Sequence, residues 1–245
     1  MNPQGMTELW LTRHGESTAN VAANTAERAG AEVIDVEARD VDVPLSPVGA
    51  EQATALGGWL AAVSPAPTAV WSSPYRRAVE TATTAMSVAG REDAISVDER
   101  LRDRELGILD TLTPLGVQNR YPDEARRRDW VGRYFYRPPG GESWADVSLR
   151  IRSVLRDLDA ANEGGRVLVV AHDAVVMLFL HVCLGWNEQQ VLDFALNNTV
   201  LNASLTRLTR VDGLWTLTSF ASAEHLVAQD APVTVHSGDD DAAEH

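Results

Sequence analysis

Leu11 to Ser17 reads LTRHGES, and it sets an arginine and a histidine side by side where a strand gives way to a loop. The preceding run, Glu8 to Thr12, alternates apolar and polar residues as a half-buried strand does, with Leu9 and Leu11 on one face and Trp10 on the other. Arg13, His14 and Gly15 therefore fall at the carboxyl end of that strand. Open α/β sheets bind ligands at this edge, and Gly15 lets backbone approach a ligand closely. The pattern points to a chain that handles phosphate.

Two further segments repeat the design. Thr68 to Trp71 runs as a strand into SSPYRRAVETA (Ser72 to Ala82), where Ser73 is an expected helix N-cap and Pro74 the first helical residue. Arg76 and Arg77 then sit in the first turn, where the helix dipole is positive, and two cations there call for an anion nearby. Arg166 to Ala171, RVLVVA, is apolar on both faces as a buried parallel strand should be. It ends at His172, before an apolar helix that runs to about Leu184, with Asp173 expected to N-cap that helix near Val175 and to turn away from any ligand. Three strands thus each deliver a cationic or protonatable side chain to the start of a helix.

Composition narrows the chemistry. All 21 basic residues are arginine, so a Walker-type, Schiff-base or kinase-type lysine is excluded, whereas the arginine fork suits phosphate and never loses its charge. The net charge of −14 repels nucleic acid and anionic membrane, which makes the phosphate pocket a local positive island. Cys183 is the one cysteine, so no internal disulfide or thiolate cluster can form, and its setting in FLHVCLG predicts a packed side chain. No metal-ligand spacing appears, and the reading calls for no metal and no cofactor. With 245 residues, 44% of them apolar, one domain over 1–228 is expected. Residues 229–245, with Asp239, Asp240, Asp241 and Glu244 near the end, read as an acidic, solvated and disordered tail. The lack of an 18-residue apolar run and of a charged-then-apolar start leads to the expectation of a soluble, cytoplasmic protein.

The periodicities predict an α/β fold, a three-layer α/β/α sandwich around a mostly parallel sheet. Val21 to Val43 is expected as a loop or partial helix over the site, and a helix starts at Ser46 and Pro47 with Ala53, Leu56, Leu60 and Val63 on its apolar positions. A strand near Ala94 to Val97 leads to LRDRELG, and the Pro- and Gly-punctuated stretch Thr113 to Glu142 is the expected lid. Ser143 caps a helix whose stripe is Val147, Ile151, Val154, Leu155 and Leu158. Ala203 to Thr209 and Trp215 to Ser219 pair as a hairpin about Asp212 and Gly213, adding an antiparallel strand. His181 reads as a packed histidine. Arg126, Arg127 and Arg128 read either as a solvated face or as contacts to the far end of a substrate.

Taken together, these stretches resemble the histidine phosphatase superfamily, also called the phosphoglycerate mutase-like family. RHGES with Asn20 matches its first motif, PLSPVGAEQA (Pro44 to Ala53) its usual first helix, SSPYRRAVETA its second arginine motif and VVAH (Val169 to His172) its second histidine. The likeness runs from about Glu8 to Leu226, and FYRPPGGESWADVSLRI (Phe135 to Ile151) looks most like the broad-range phosphatases.

The resemblance implies that His14 is a nucleophile forming a phosphohistidine, with Arg13, Arg77 and His172 around the phosphate and Asn20 adding a neutral donor. If the register slips by one, Arg76 and Arg77 exchange roles. Relatives carry glutamate two residues after the leucine of LRDRELG, where this chain has Asp103, with Glu105 two further on; Asp103 is the preferred general acid and Glu105 the alternative. Relatives often have glycine where Asp173 stands. The expected function is hydrolysis of small phosphomonoesters, with a small phosphorylated metabolite as partner, no nucleic acid and no membrane, as a monomer or homodimer. The rivals are a 2,3-bisphosphoglycerate-dependent phosphoglycerate mutase, whose motif after the acid normally includes a lysine that is missing here, and a phosphate-binding module weakened by the Asp103 change.

Overall fold

The structure, a computed structural model, describes residues 5–91 and 94–236. In chain order the elements are β1 (Glu8–Arg13), α1 (Thr18–Arg28), α2 (Pro47–Ala62), β2 (Ala69–Ser72), α3 (Arg76–Val88), β3 (Ile95–Val97), α4 (Pro114–Arg120) and α5 (Pro122–Val131). They continue with α6 (Trp144–Ala161), β4 (Arg166–Ala171), α7 (Asp173–Leu184), α8 (Glu188–Asn197), β5 (Leu205–Val211), β6 (Leu214–Ser222) and α9 (Glu224–Val227).

The six strands form one sheet in the order β3-β2-β4-β1-β5-β6. The first four run parallel, and β5 pairs antiparallel with both β1 and β6. Leu9, Leu11, Val167 and Val169 pack with Val147, Ile151, Val154 and Val176 of α6 and α7 on one face. Trp10, Leu168 and Val170 pack with Leu56, Leu60, Ala78 and Ala82 of α2 and α3 on the other. This is the expected three-layer α/β/α sandwich. β1 differs from the half-buried strand its alternation suggests: it lies between β4 and β5 with helices on both faces, and every residue from Leu9 to Arg13 is buried.

The register fixes the site. Arg13 lies opposite Ala171 and Ser72 opposite Val170, so the carboxyl ends of β1, β2 and β4 align, and the next residues, His14, Ser73 and His172, share one edge. Backbone bonds from His14 N–H to the Ala171 carbonyl (2.9 Å) and from Ser73 N–H to the Val170 carbonyl (2.9 Å) extend the ladder to that edge. Gly15 makes a close approach to protein: a Cβ there would lie 2.6 Å from the Gly49 carbonyl oxygen, in the first turn of α2. Asp212 and Gly213, both at positive φ, make the two-residue hairpin turn between β5 and β6.

The stretch expected as loop or partial helix begins with α1, three turns capped by Ser17, whose hydroxyl accepts Asn20 N–H. The lid stretch contains α4 and α5. It is tied to the loop after α1 by an isolated bridge between Val33 and Leu112 and by Thr113, whose hydroxyl donates to the Ala31 carbonyl at 2.7 Å. Cys183 packs against the core, and burial pushes its thiol up to about 12. His181 is buried with its Nε2 3.0 Å from the Tyr134 hydroxyl.

The solvated tail expected from Gln229 is corrected over its described part. Gln52 Nε2 donates to the Pro232 carbonyl and to Thr234 Oγ1, and Asn202 N–H to the Thr234 carbonyl, so 229–236 is docked. Its polar composition hides this, because several of the bonds are made to backbone groups that carry no sequence signal. The acidic run Asp239 to Glu244 lies outside the described residues. Among the described residues no helix is long and apolar enough to cross a membrane.

Candidate active site

His14 is 2% exposed at the end of β1. Its Nδ1 lies 2.7 Å from the Gly15 carbonyl, which can only accept, so Nδ1 carries the proton. Its Nε2 receives Arg77 Nε–H at 3.2 Å and is therefore the unprotonated nitrogen. Burial, then Arg77, His172 and Arg13, hold the imidazole well below its ordinary pKa, against the smaller opposing effect of the Gly15 bond. A neutral imidazole set among cations, its lone pair taken only by an arginine donor, has the form that can act as a nucleophile.

Arg77 reaches His14 from the first turn of α3, and it also donates to Asp40 (carbonyl and Oδ1, both 2.7 Å) and to Asp103 Oδ2 at 3.1 Å. Burial would lower its pKa, but Asp40 and Asp103 outweigh that and raise it. Arg76, by contrast, is exposed and pairs with Glu80 one turn on, so the register places Arg77 and not Arg76 in the site. Arg13 is 2% exposed and gives Nη1 to the Val200 carbonyl at 2.8 Å and the His236 carbonyl at 2.7 Å. Asn20 closes the α1 capping box with its carbonyl oxygen on Ser17 N–H, which leaves its amide nitrogen as the end that can donate.

His172 is fully buried, with Nδ1 3.1 Å from Asp103 Oδ2 and Nε2 2.7 Å from Ser73 Oγ. Burial lowers its pKa, opposed by Asp103. Burial would raise the Asp103 carboxyl, but His172, Arg77 and His14 together hold it well below the usual carboxylate range. Of the two acidic candidates, only Asp103 faces these groups. Glu105 instead accepts the Tyr75 hydroxyl at 2.9 Å, and that ring packs edge-on against His172 and beneath Arg77. An irregular loop carries the two residues, and the two carboxylates part.

Two capping expectations are corrected. Helix α3 begins at Arg76 with no side-chain cap, and Ser73 instead accepts Tyr75 N–H and meets His172. Helix α7 begins at Asp173 itself, with His172 in the cap position. Asp173 does not turn away: it lines the cavity, with Oδ2 3.8 Å from Arg13 Nη1. A carboxylate one residue past the cap gains from the helix dipole without giving up its exposure to the site.

Three contributors were invisible in the sequence reading. Asp40 comes from a short 3-10 turn at Asp40–Asp42. Thr81 supports the His14 loop by accepting Gly15 N–H at 3.0 Å. Arg150 of α6 spends its donors on the carbonyls of Arg100, Arg102 and Asp103 and on both carboxylate oxygens of Glu142, which shapes the loop that presents Asp103.

The site opens into a cavity of about 320 Å³. Ile34, Val36, Leu109 and Val117 line its roof, and Arg128, alone of the three consecutive arginines, reaches it from α5. Among the described residues no three metal-ligating side chains cluster.

Residues 9–223 match the family model described as histidine phosphatase superfamily (branch 1). The chain is 30% identical over 187 residues to the 6-phosphofructo-2-kinase/fructose-2,6-bisphosphatase of Gallus gallus, covering 75% of this chain and 34% of that protein. It is 32% identical over 178 residues to a bifunctional protein of Mycobacterium tuberculosis, covering 73% of this chain and 44% of that one. The chain thus spans less than half the length of these relatives. Among solved structures, a mycobacterial glucosyl-3-phosphoglycerate phosphatase superposes with a TM-score of 0.71 at 26% identity, covering 89% of this chain and 99% of that chain. A putative alpha-ribazole-5'-P phosphatase from Escherichia coli shares the fold, with a TM-score of 0.73 at 22% identity over 89% and 97% of the two chains.

Proposed function

The chain belongs to branch 1 of the histidine phosphatase superfamily, and on that premise we propose that it hydrolyses small phosphomonoesters, without a metal, through a phosphohistidine at His14. The observation that carries this reading is the state of His14: Nδ1–H held by the Gly15 carbonyl, Nε2 bare and paired only with an arginine donor that a phosphoryl oxygen can take over.

In the proposed reaction a phosphoryl group enters between Arg13, Arg77, His172 and the Asn20 amide. Their positive charge and donors serve the three equatorial oxygens, the part that a metal ion plays in other phosphoryl-transfer sites. His14 Nε2 attacks phosphorus as the ester oxygen leaves, and Asp103 gives that oxygen a proton. The resting Asp103 is ionised, but a bound phosphate brings negative charge beside it and draws Arg77 away, and both changes raise its pKa. Asp103, again a carboxylate, then takes a proton from the water that cleaves the phosphohistidine and releases phosphate.

The cavity volume supports a substrate of metabolite size with its phosphate at the closed end. Two of the named proteins, the fructose-2,6-bisphosphatase and the glucosyl-3-phosphoglycerate phosphatase, act by name on sugar-type phosphates, which supports the same class. The test is release of free phosphate from a panel of phosphomonoesters, with a chelator present throughout. Turnover of at least one ester with the chelator present is expected. No turnover of any ester overturns the reading, and activity that needs an added divalent ion overturns its metal-independence.

A further inference from the structure

The turn between β2 and α3 holds a hydroxyl that neither caps the helix nor points into the cavity. Ser73 Oγ is fully buried and lies 2.7 Å from His172 Nε2. It accepts Tyr75 N–H at 3.2 Å, which occupies one lone pair and leaves a proton to give and a second lone pair to receive, both presented to the ring. At the other side of the ring, Nδ1 stands 3.1 Å from Asp103 Oδ2. The His14 and Tyr75 rings pack edge-on against His172, each with centroids 5.2 Å away, and hold its plane.

We propose that Ser73 is a positioning residue that keeps a proton on His172 Nδ1, the nitrogen beside Asp103 and the phosphoryl group, whether the imidazole is neutral or cationic. In the neutral ring the Ser73 hydroxyl donates to Nε2, so Nδ1 must carry the proton. In the cation Nε2–H donates to Ser73 Oγ, and Nδ1–H stays where it was. The reverse neutral tautomer would set a bare Nδ1 lone pair against the Asp103 carboxylate at 3.1 Å, two acceptors face to face. A hydroxyl is suited to this place because it alone can answer either protonation state by rotating its hydrogen. The other charged and titratable groups around His172 are His14 at the end of β1, Tyr75 and Arg77 at the start of α3, Asp103 on the loop after β3, Asp40 on its 3-10 turn and Asp173, the first residue of α7. Ser73 Oγ is the hydrogen-bond partner of Nε2. The lone sequence signal was Ser73 itself, and it read as a cap.

The catalytic consequence rests on the phosphatase reading, but the tautomer belongs to the resting protein and is measured apart from turnover. Nitrogen NMR of ¹⁵N-histidine-labelled wild-type protein at neutral pH, with His172 assigned by the signals lost in His172→Gln, should show Nδ1 protonated and Nε2 bare. A neutral ring with Nε2 protonated overturns the proposal. In steady-state kinetics, Ser73→Ala should lower kcat by roughly tenfold to a hundredfold, the size typical of lost outer partners, with KM changed less than about threefold. Ser73→Thr, which keeps the hydroxyl, should recover most of it. Wild-type kcat in a folded Ser73→Ala protein overturns the proposal; if that variant does not fold, the wild-type tautomer decides. Failure of the wild type to turn over any phosphomonoester would overturn the phosphatase reading and leave the tautomer result standing on its own.

Discussion

At the residue scale, the site divides its two nearby carboxylates by environment. Asp103 faces His172 and Arg77, whereas Glu105 is committed to the Tyr75 hydroxyl. An alkoxide leaves poorly without a proton and a nitrophenolate leaves readily without one, so loss of the acid must hurt the two kinds of ester unequally. Asp103→Asn is expected to slow alkyl phosphate hydrolysis by roughly 10²- to 10⁴-fold and nitrophenyl phosphate hydrolysis far less. Glu105→Gln keeps an acceptor for Tyr75 and should slow both by less than about tenfold. Paired steady-state measurements on the two esters check this, and the reverse pattern would make Glu105 the acid. Arg13, His14 and His172 were legible in the sequence because Arg13 ends a strand and each histidine directly follows one, and a parallel sheet brings such positions to one edge. Asp40 and the true partner of Ser73 were not, because irregular turns place them and no periodicity marks an irregular turn.

At the element scale, the helices that carry no reacting group still decide where one sits. Arg150, on α6 beside its apolar stripe, donates to the carbonyls of Arg100, Arg102 and Asp103 and to Glu142, and so fixes the Asp103 loop to the second layer of the sandwich. Removing one partner from such a buried ion pair leaves the other desolvated, a cost of about 3–5 kcal/mol. Arg150→Met should therefore lose about that much stability in urea unfolding and lower kcat more than it raises KM, since the acid moves while the phosphate cradle stays. Equal stability with unchanged kcat would show that the loop holds itself. The stripe of α6 was plain in the sequence, and Ser143 caps it as expected, with Asp146 completing the box. Arg150 lies outside that stripe and reads as a surface residue, because an arginine bonded to carbonyls looks like any other arginine until the loop that supplies them is placed.

At the scale of the whole molecule, burial lowers the pKa of five histidines, His181 among them. His225 and His236 are lowered to about 4, and His14 and His172 are lowered as well. Each takes up a proton in the unfolded chain near 6.5 but resists it when folded, so the unfolded state binds more protons as pH falls and stability must fall with it. For His225 and His236 the loss should run from about pH 7 down to about 4 and then level off, at most about 3–4 kcal/mol each. Asp103 works in the carboxylate range: its stabilisation is complete above its ordinary pKa of 3.8 and is lost as pH falls toward its lower folded value. Thermal unfolding across pH 7 to 4 should show a falling Tm in the wild type and a flatter profile in His225→Gln, and parallel profiles would contradict this. The layering, the strand directions and the hairpin were all legible from periodicity and turn residues. The docked segment 229–236 was not, since the backbone groups that Gln52, Asn202 and Arg13 bind are the same in every sequence.

The central claim, that the phosphoryl group passes through His14, is tested most directly by trapping it. Wild-type protein mixed with a ³²P-labelled phosphomonoester and quenched within milliseconds should carry label in a form stable to base and labile to acid, located by peptide mapping at His14. His14→Ala should carry none while still folding and still binding inorganic phosphate through Arg13 and Arg77. Label that survives in His14→Ala, or that maps to another residue, would contradict the account.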